Sequence, residues 1–218
     1  MGPLYKDRHD AGRRLAEPLQ KYAADNPLIL GLARGGVIVA RPIAEALGAE
    51  LDVLVVRKVG APSNPEYGVA AVAPMDICVF DFEAMNALQL HRNSLQPYVN
   101  RELAEISRRL SIYRRGMAAL TAANRVVILV DDGLATGITA VAAARYVKRL
   151  GAKYVVFAAP VCSRPGSSAL KDEVEEIVCL HAPEIFFAVG MWFEDFSQAE
   201  DEEVVEALAA TRRREFMA

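Results

Sequence analysis

Two successive carboxylates, Asp131 and Asp132, followed by Gly133-Leu134-Ala135-Thr136-Gly137-Ile138-Thr139, are the residues of this chain best suited to chemistry. Adjacent carboxylates accept hydrogen bonds from neighbouring sugar hydroxyls. A small-residue loop opening a helix offers unpaired amides and the positive end of the helix dipole to a phosphate. The hydroxyls of Thr136 and Thr139 add donors, so the two features together suit a phosphorylated sugar. A plain strand-turn-helix corner with a Thr cap does not need two carboxylates. A receiver-type acidic pocket needs a further Asp ending another strand, and none is found.

A second candidate lies in Leu32-Ala33-Arg34-Gly35-Gly36. Paired glycines let backbone amides approach a ligand closely, and Arg34 carries a planar fork suited to phosphate oxygens. Arg57 and Lys58 place two adjacent cations where they can neutralise a polyanionic leaving group.

The elements that must position these groups alternate between strand and helix patterns. Val126 to Val130 is an unbroken β-branched and aliphatic run, the signature of a strand covered on both faces, so Asp131 and Asp132 emerge at its carboxyl end. Ligands of open α/β sheets bind at that end. Ala140 to Leu150 reads as the following helix. Upstream, Leu28 to Leu32 and Leu51 to Val56 read as strands around a helix from Val37 to Leu47, paired in parallel through right-handed crossovers. A helix from about Asp10 to Ala24 is kinked or shortened by Pro18. The stretch Gly60 to Gly68, with two glycines, two prolines, a Ser and an Asn, reads as a mobile loop. Val69 to Ala73 and Ile77 to Phe80 form a hairpin turning at Pro74-Met75-Asp76. Helical stretches follow at Glu83 to Leu90 and Leu95 to Tyr113, the charges of the second forming a solvated face. Tyr154 to Ala159 and Ile177 to Leu180 are further strands, and Glu200 to Arg213 a last helix.

Composition bounds the function. At 218 residues, 53% hydrophobic and 24% charged, the chain suffices for one α/β domain with extensions and leaves no room for a second large one. A net charge of −3 gives no electrostatic footprint for nucleic acid. Cys78, Cys162 and Cys179 lack metal-type spacing and read as buried thiols of a reducing cytosol. The start Met-Gly-Pro-Leu-Tyr-Lys-Asp-Arg reads as neither a signal nor a transit peptide, and no apolar run reaches membrane-spanning length, so a cytoplasmic location without membrane contact is expected.

The segment from Val126 to Thr139 resembles the 5-phosphoribosyl-1-pyrophosphate (PRPP) motif of the type I phosphoribosyltransferases: hydrophobic strand, acidic pair, Thr-Gly-x-Thr loop. The resemblance implies an α/β fold, a Rossmann-like central parallel sheet of about five strands flanked by helices, as a single domain over 1–218. It also implies a small hood from about 1–26 and 160–218, a mobile loop at 58–68 and a helical insertion at 83–116. It gives Asp131 and Asp132 the ribose hydroxyls and Ala135, Thr136, Gly137, Ile138 and Thr139 the 5-phosphate. Arg34, Gly35, Gly36, Arg57 and Lys58 take the pyrophosphate, with a cis peptide at Ala33-Arg34. Arg57-Lys58 followed by Glu66-Tyr67-Gly68 resembles a shortened mobile loop of adenine phosphoribosyltransferases, which makes Glu66 a candidate acid/base residue beside its plainer reading as an exposed loop glutamate.

Phe186-Phe187-Ala188-Val189-Gly190 resembles the base-stacking segment of 6-oxopurine phosphoribosyltransferases. By position it assigns the acceptor to Phe187 and Glu194, with Trp192 nearby and Arg164 standing where that group has a Lys. Ala135 departs from that group, which has an Asp there. The aromatic cluster also reads as core or dimer contact. Asp7 to Gly12 and Val189 to Gln198 resemble the bacterial group of predicted phosphoribosyltransferases without an assigned substrate. The implied activity is magnesium-dependent transfer, in nucleotide salvage, from PRPP to a nitrogenous, purine-like acceptor. The Mg2+ would be carried by PRPP, with Asp131 and Asp132 the nearest protein oxygens and no dedicated cage. Homodimerisation is implied too. A catalytically silent PRPP sensor, or a partner subunit whose acceptor site another protein completes, are the alternatives.

Overall fold

The computed structural model describes residues 2–215. Five strands form one parallel sheet: β1 (Leu28–Leu32), β2 (Glu50–Leu54), β6 (Val126–Val130), β7 (Tyr154–Val161) and β8 (Glu176–His181), in the order β2-β1-β6-β7-β8. This is the expected architecture. The chain leaves β1 toward β2 on one side and returns to β6 on the other, so a crevice opens at the carboxyl ends of β1 and β6.

Both faces of the sheet are buried, as the unbroken apolar strands require. Ile29, Val53, Ile128 and Val130 pack on one side against α1 (Arg8–Leu19), α2 (Gly35–Leu47) and α7 (Asp201–Glu215), which contribute Leu15, Ile43 and Leu208. Leu28, Leu30, Leu129 and Phe157 pack on the other side against α5 (Ile138–Arg149), whose Ala140, Ala143 and Val147 allow close approach. α1 ends one residue after Pro18, and a 3-10 turn continues over Gln20–Asp25. That is the shortening expected of a residue with no amide to donate.

The segment read as a loop at 58–68 is regular structure instead. It is a β-hairpin of β3 (Arg57–Ala61) and β4 (Asn64–Ala73), closed by Pro62-Ser63 and joined by β5 (Ile77–Phe80) into a three-stranded antiparallel sheet. Register shifts on both sides of Gly60 accommodate the irregular residues. A Cβ on Gly60 would lie 2.1 Å from the Pro65 carbonyl oxygen, so glycine there permits strand pairing rather than preventing it. The β4–β5 turn has Met75 and Asp76 at φ of 60° and 57°, on the expected residues.

Helices α3 (Phe82–Ala87) and α4 (Arg92–Tyr113) lie behind this sheet, with Ala84, Met85 and Leu95 packed on Ala61 and Val69. The charges of α4 are not all solvated, contrary to expectation. Glu102 is buried and accepts from Arg57 Nε at 2.9 Å and Arg101 Nη2 at 3.0 Å, because β3 brings a cation against that helix face. At the other side of the crevice the chain ends meet. The amides of Leu4 and Tyr5 donate to the Trp192 carbonyl, and Tyr5, Trp192 and Phe193 share a small core with Val161. Like β3, α6 (Arg164–Leu170) and a 3-10 turn at Val189–Trp192 had not been foreseen. No helix among the described residues is long and apolar enough to cross a membrane.

Candidate functional site

A cavity of about 600 Å³ occupies the crevice. Its floor is the acidic pair. Asp131 Oδ1 accepts from the Asp132 amide at 2.9 Å, and Asp132 Oδ2 accepts from Arg8 Nε at 2.8 Å. Asp131 Oδ2 and Asp132 Oδ1 remain for a ligand, two acceptors on neighbouring residues.

Burial pushes the Asp131 carboxyl well above the usual carboxylate range, and the neighbouring Asp132 charge adds to it, against the Asp132 amide, Lys58 and Arg8. Burial raises Asp132 too, opposed chiefly by Arg8. The pair therefore ionises reluctantly and gains from any donor or cation brought between its free oxygens.

The loop from Ala135 to Thr139 forms the next wall. Gly137, at φ 83°, caps α5, and the first amides of that helix have no intrahelical acceptor. Packing fixes the loop from behind. The Leu134 amide donates to the Val161 carbonyl at 2.9 Å, the Ser163 amide to the Leu134 carbonyl at 2.8 Å, and Ser163 Oγ to the Ala135 carbonyl. The loop is thus held open on its amide side by an extension of β7.

Lys58, Glu66 and Gly68 of the hairpin face this floor, together with Arg57, whose Nε is engaged by Glu102. The Ala33–Arg34 peptide is cis, as the resemblance implied. The Arg34 side chain, expected on a phosphate, does not border the cavity. Its Nη1 lies 3.5 Å from both Glu200 and Asp201, where Tyr113 Oη also donates to Asp201 at 2.5 Å. The acidic start of α7 attracts the guanidinium.

The four residues expected at the acceptor lie away from this cavity. Phe187 is 80% exposed, Trp192 is buried in the hood core, and Glu194 is exposed with its amide on the Tyr5 carbonyl. Arg164 reaches Glu184 at 3.5 Å. None of the four borders the cavity; Phe187 and Trp192 line a separate hollow beside His181. The apolar wall is made instead by Val189 and Phe196. Val189 opens the 3-10 turn and Phe196 follows it, whereas Phe187 precedes it and stays outside the cavity.

Two residues of this site escaped sequence reasoning, Arg8 and Phe196. Both stand in the terminal motifs, Asp7 to Gly12 and Val189 to Gln198, whose spacing was legible but whose meeting across the crevice was not.

Among the described residues no group of three or more His, Cys, Asp or Glu is placed to hold a metal ion. Two carboxylates with one spare oxygen each suit a hard cation that keeps most of its ligands from water and a bound polyanion.

Comparisons with known proteins agree with this geometry. A family model described as a phosphoribosyl transferase domain matches residues 5–193. A Mycobacterium tuberculosis H37Rv protein named "Putative phosphoribosyl transferase Rv0571c" is 38% identical over 210 residues, 96% of this chain and 47% of that protein. The chain thus spans about half the length of the curated relatives it matches. The crystal structure of TT1426 from Thermus thermophilus superposes with a TM-score of 0.78 at 40% identity, covering 94% of this chain and 98% of the other. A purine phosphoribosyltransferase from Pyrococcus horikoshii shares the fold, with a TM-score of 0.51 at 22% identity over 92% and 99%. By family match, relatives and fold, the chain belongs to the phosphoribosyl transferase family.

Proposed function

We propose that this chain transfers the 5-phosphoribosyl group of PRPP to a nitrogenous, purine-like acceptor with release of pyrophosphate, in the cytoplasm. The observation that carries the reading is the convergence of an acidic pair, a helix-opening loop and hairpin cations on one cavity. Asp131 Oδ2 and Asp132 Oδ1 accept from the ribose hydroxyls. The amides of the 135–139 loop, with Thr136 and Thr139, hold the 5-phosphate. Lys58 and the guanidinium of Arg57 meet the pyrophosphate as it departs; Gly35 and Gly36 do not line the cavity and are given to it by the resemblance alone.

Displacement at C1 by a ring nitrogen develops positive charge on the ribose and negative charge on the leaving group. The acidic pair and the hairpin cations on one cavity suit that separation. Magnesium, held by the pyrophosphate with Asp131 and Asp132 as its protein oxygens, would supply further neutralisation of the leaving group. The β3–β4 hairpin shields C1 from water, which would compete as nucleophile. Glu66 on its inner side is the acid/base group in this reading, and the Val189–Phe196 wall takes the flat face of the acceptor. The cytoplasmic location is supported by the three unbridged cysteines.

The test is pyrophosphate release from PRPP, with and without magnesium, against purine, pyrimidine, pyridine and amine acceptors. Release with one acceptor, abolished in Asp131→Asn/Asp132→Asn, names the substrate class. PRPP binding without release from any acceptor would instead make the chain a sensor or partner subunit. Phe187→Ala is expected to leave the KM values of both substrates within about twofold, since an exposed side chain outside the cavity contributes little. A tenfold rise in acceptor KM would restore Phe187 to the acceptor site.

A further inference from the structure

The two ends of the chain reach the acidic pair through one side chain. Arg8 is the first residue of α1, set there by Asp7, whose Oδ1 accepts from the Asp10 amide at 2.7 Å. Its side chain is 11% exposed, and three partners fix the guanidinium. Nε donates to Asp132 Oδ2 at 2.8 Å, Nη1 donates to the Ser197 carbonyl at 2.7 Å, and Cζ lies 3.9 Å from the centre of the Phe196 ring. Gly35 leaves the space. A Cβ there would come within 2.7 Å of Nε.

This arrangement does more than neutralise a buried charge. The fork engages only one oxygen of Asp132 and spends its second donor on the hood backbone, where a bidentate grip on the carboxylate would have been the stronger ion pair. The other oxygen is left toward the cavity, and the apolar wall is stacked on the same guanidinium. We infer that Arg8 is a positioning residue. It orients Asp132 so that Oδ1 meets a ribose hydroxyl, and it seats Phe196, so that sugar and acceptor subsites are set by one group. Without it, Asp132 faces only the like charge of Asp131 and swings away. The inference rests on the PRPP reading above.

The test compares the wild type with Arg8→Met, which keeps an apolar stem of similar length, and Arg8→Lys, which keeps the charge without the fork. PRPP binding is measured by calorimetry, and turnover by KM and kcat. Arg8→Met is expected to weaken PRPP binding and raise its KM at least tenfold, with Arg8→Lys recovering part of the loss. A residue needed only for folding would lower kcat in proportion to the active fraction and leave KM unchanged, and that result overturns the inference. If Arg8→Met does not fold, Arg8→Lys decides, because wild-type PRPP affinity in it is equally fatal. A wild type that fails to bind PRPP overturns the functional reading itself, whereas binding in the wild type and undiminished binding in Arg8→Met overturns only the role of Arg8.

Discussion

Asp131→Asn is expected to lower PRPP turnover about 100- to 1,000-fold while raising the Tm of the unliganded protein. The two effects share one cause. The half-buried carboxyl stands beside a second carboxyl, and desolvation with that like charge holds its folded pKa well above the ordinary value. The folded state therefore holds this proton more tightly than the unfolded chain does. The stability that follows is fully present below the unfolded carboxyl pKa of about 3.9 and is lost as pH rises through the folded value. At neutral pH the wild type bears that loss and the amide does not. Asparagine still offers an oxygen to the Asp132 amide, so the local hydrogen bond survives. The Tm difference between variant and wild type should widen from acid to neutral pH and close near the unfolded carboxyl pKa. Scanning calorimetry across that range checks it, and a variant less stable than wild type at neutral pH would show the pair to be a structural ion-pair element instead. PRPP with magnesium should raise the Tm of the wild type far more than that of the variant, because ligand and cation relieve the repulsion that the amide has already removed.

The strands and the acidic floor were legible because their signals are local. An unbroken aliphatic run such as Val126 to Val130 has few alternatives to a doubly covered strand, and the carboxylates at its end follow without further knowledge. Two kinds of information were not local. The hairpin at 57–73 is built from residues that favour loops, and only the cross-strand register, with Gly60 clearing the Pro65 carbonyl, makes them a strand pair. The apolar wall of the cavity is set by the chain path through a 3-10 turn at Val189–Trp192. Phe187, before that turn, lies outside the cavity and Phe196, after it, lines the cavity, and no periodicity reports this. Arg8 combined both difficulties, since its meaning lies in a contact with a residue 124 positions away.

The adjacent glycines at the start of α2 should separate stability from function in a single pair of substitutions. Gly36→Ala would place a Cβ 2.4 Å from the Val130 carbonyl oxygen and 2.9 Å from Asp131 Cα, backbone atoms at the end of the central strand and just after it. The helix cannot retreat, because Gly31 of β1 is already packed on Val37, with a virtual Cβ 2.5 Å from its Cα. The clash must move backbone at the middle of the sheet, at about 3 kcal/mol, or roughly 6 to 12 °C in Tm for a chain of this size. Gly35→Ala meets side chains instead. Its Cβ would lie 2.0 Å from Asp132 Oδ2 and 2.7 Å from Arg8 Nε, so the carboxylate and guanidinium are displaced while the backbone stays. Tm should move by only about 2 to 4 °C, whereas under the proposed ribose-binding role of Asp132 a shift of its carboxylate by an ångström is worth roughly 100-fold in turnover. Calorimetric Tm and PRPP binding on the two variants read both effects. Equal losses of Tm would mean that Gly35 serves packing alone, and a Gly35→Ala protein that binds PRPP normally would remove Asp132 from the sugar site. Glycine at the two positions thus has two independent grounds, backbone approach at Gly36 and room for the Arg8–Asp132 pair at Gly35, and only the second bears on the proposed reaction.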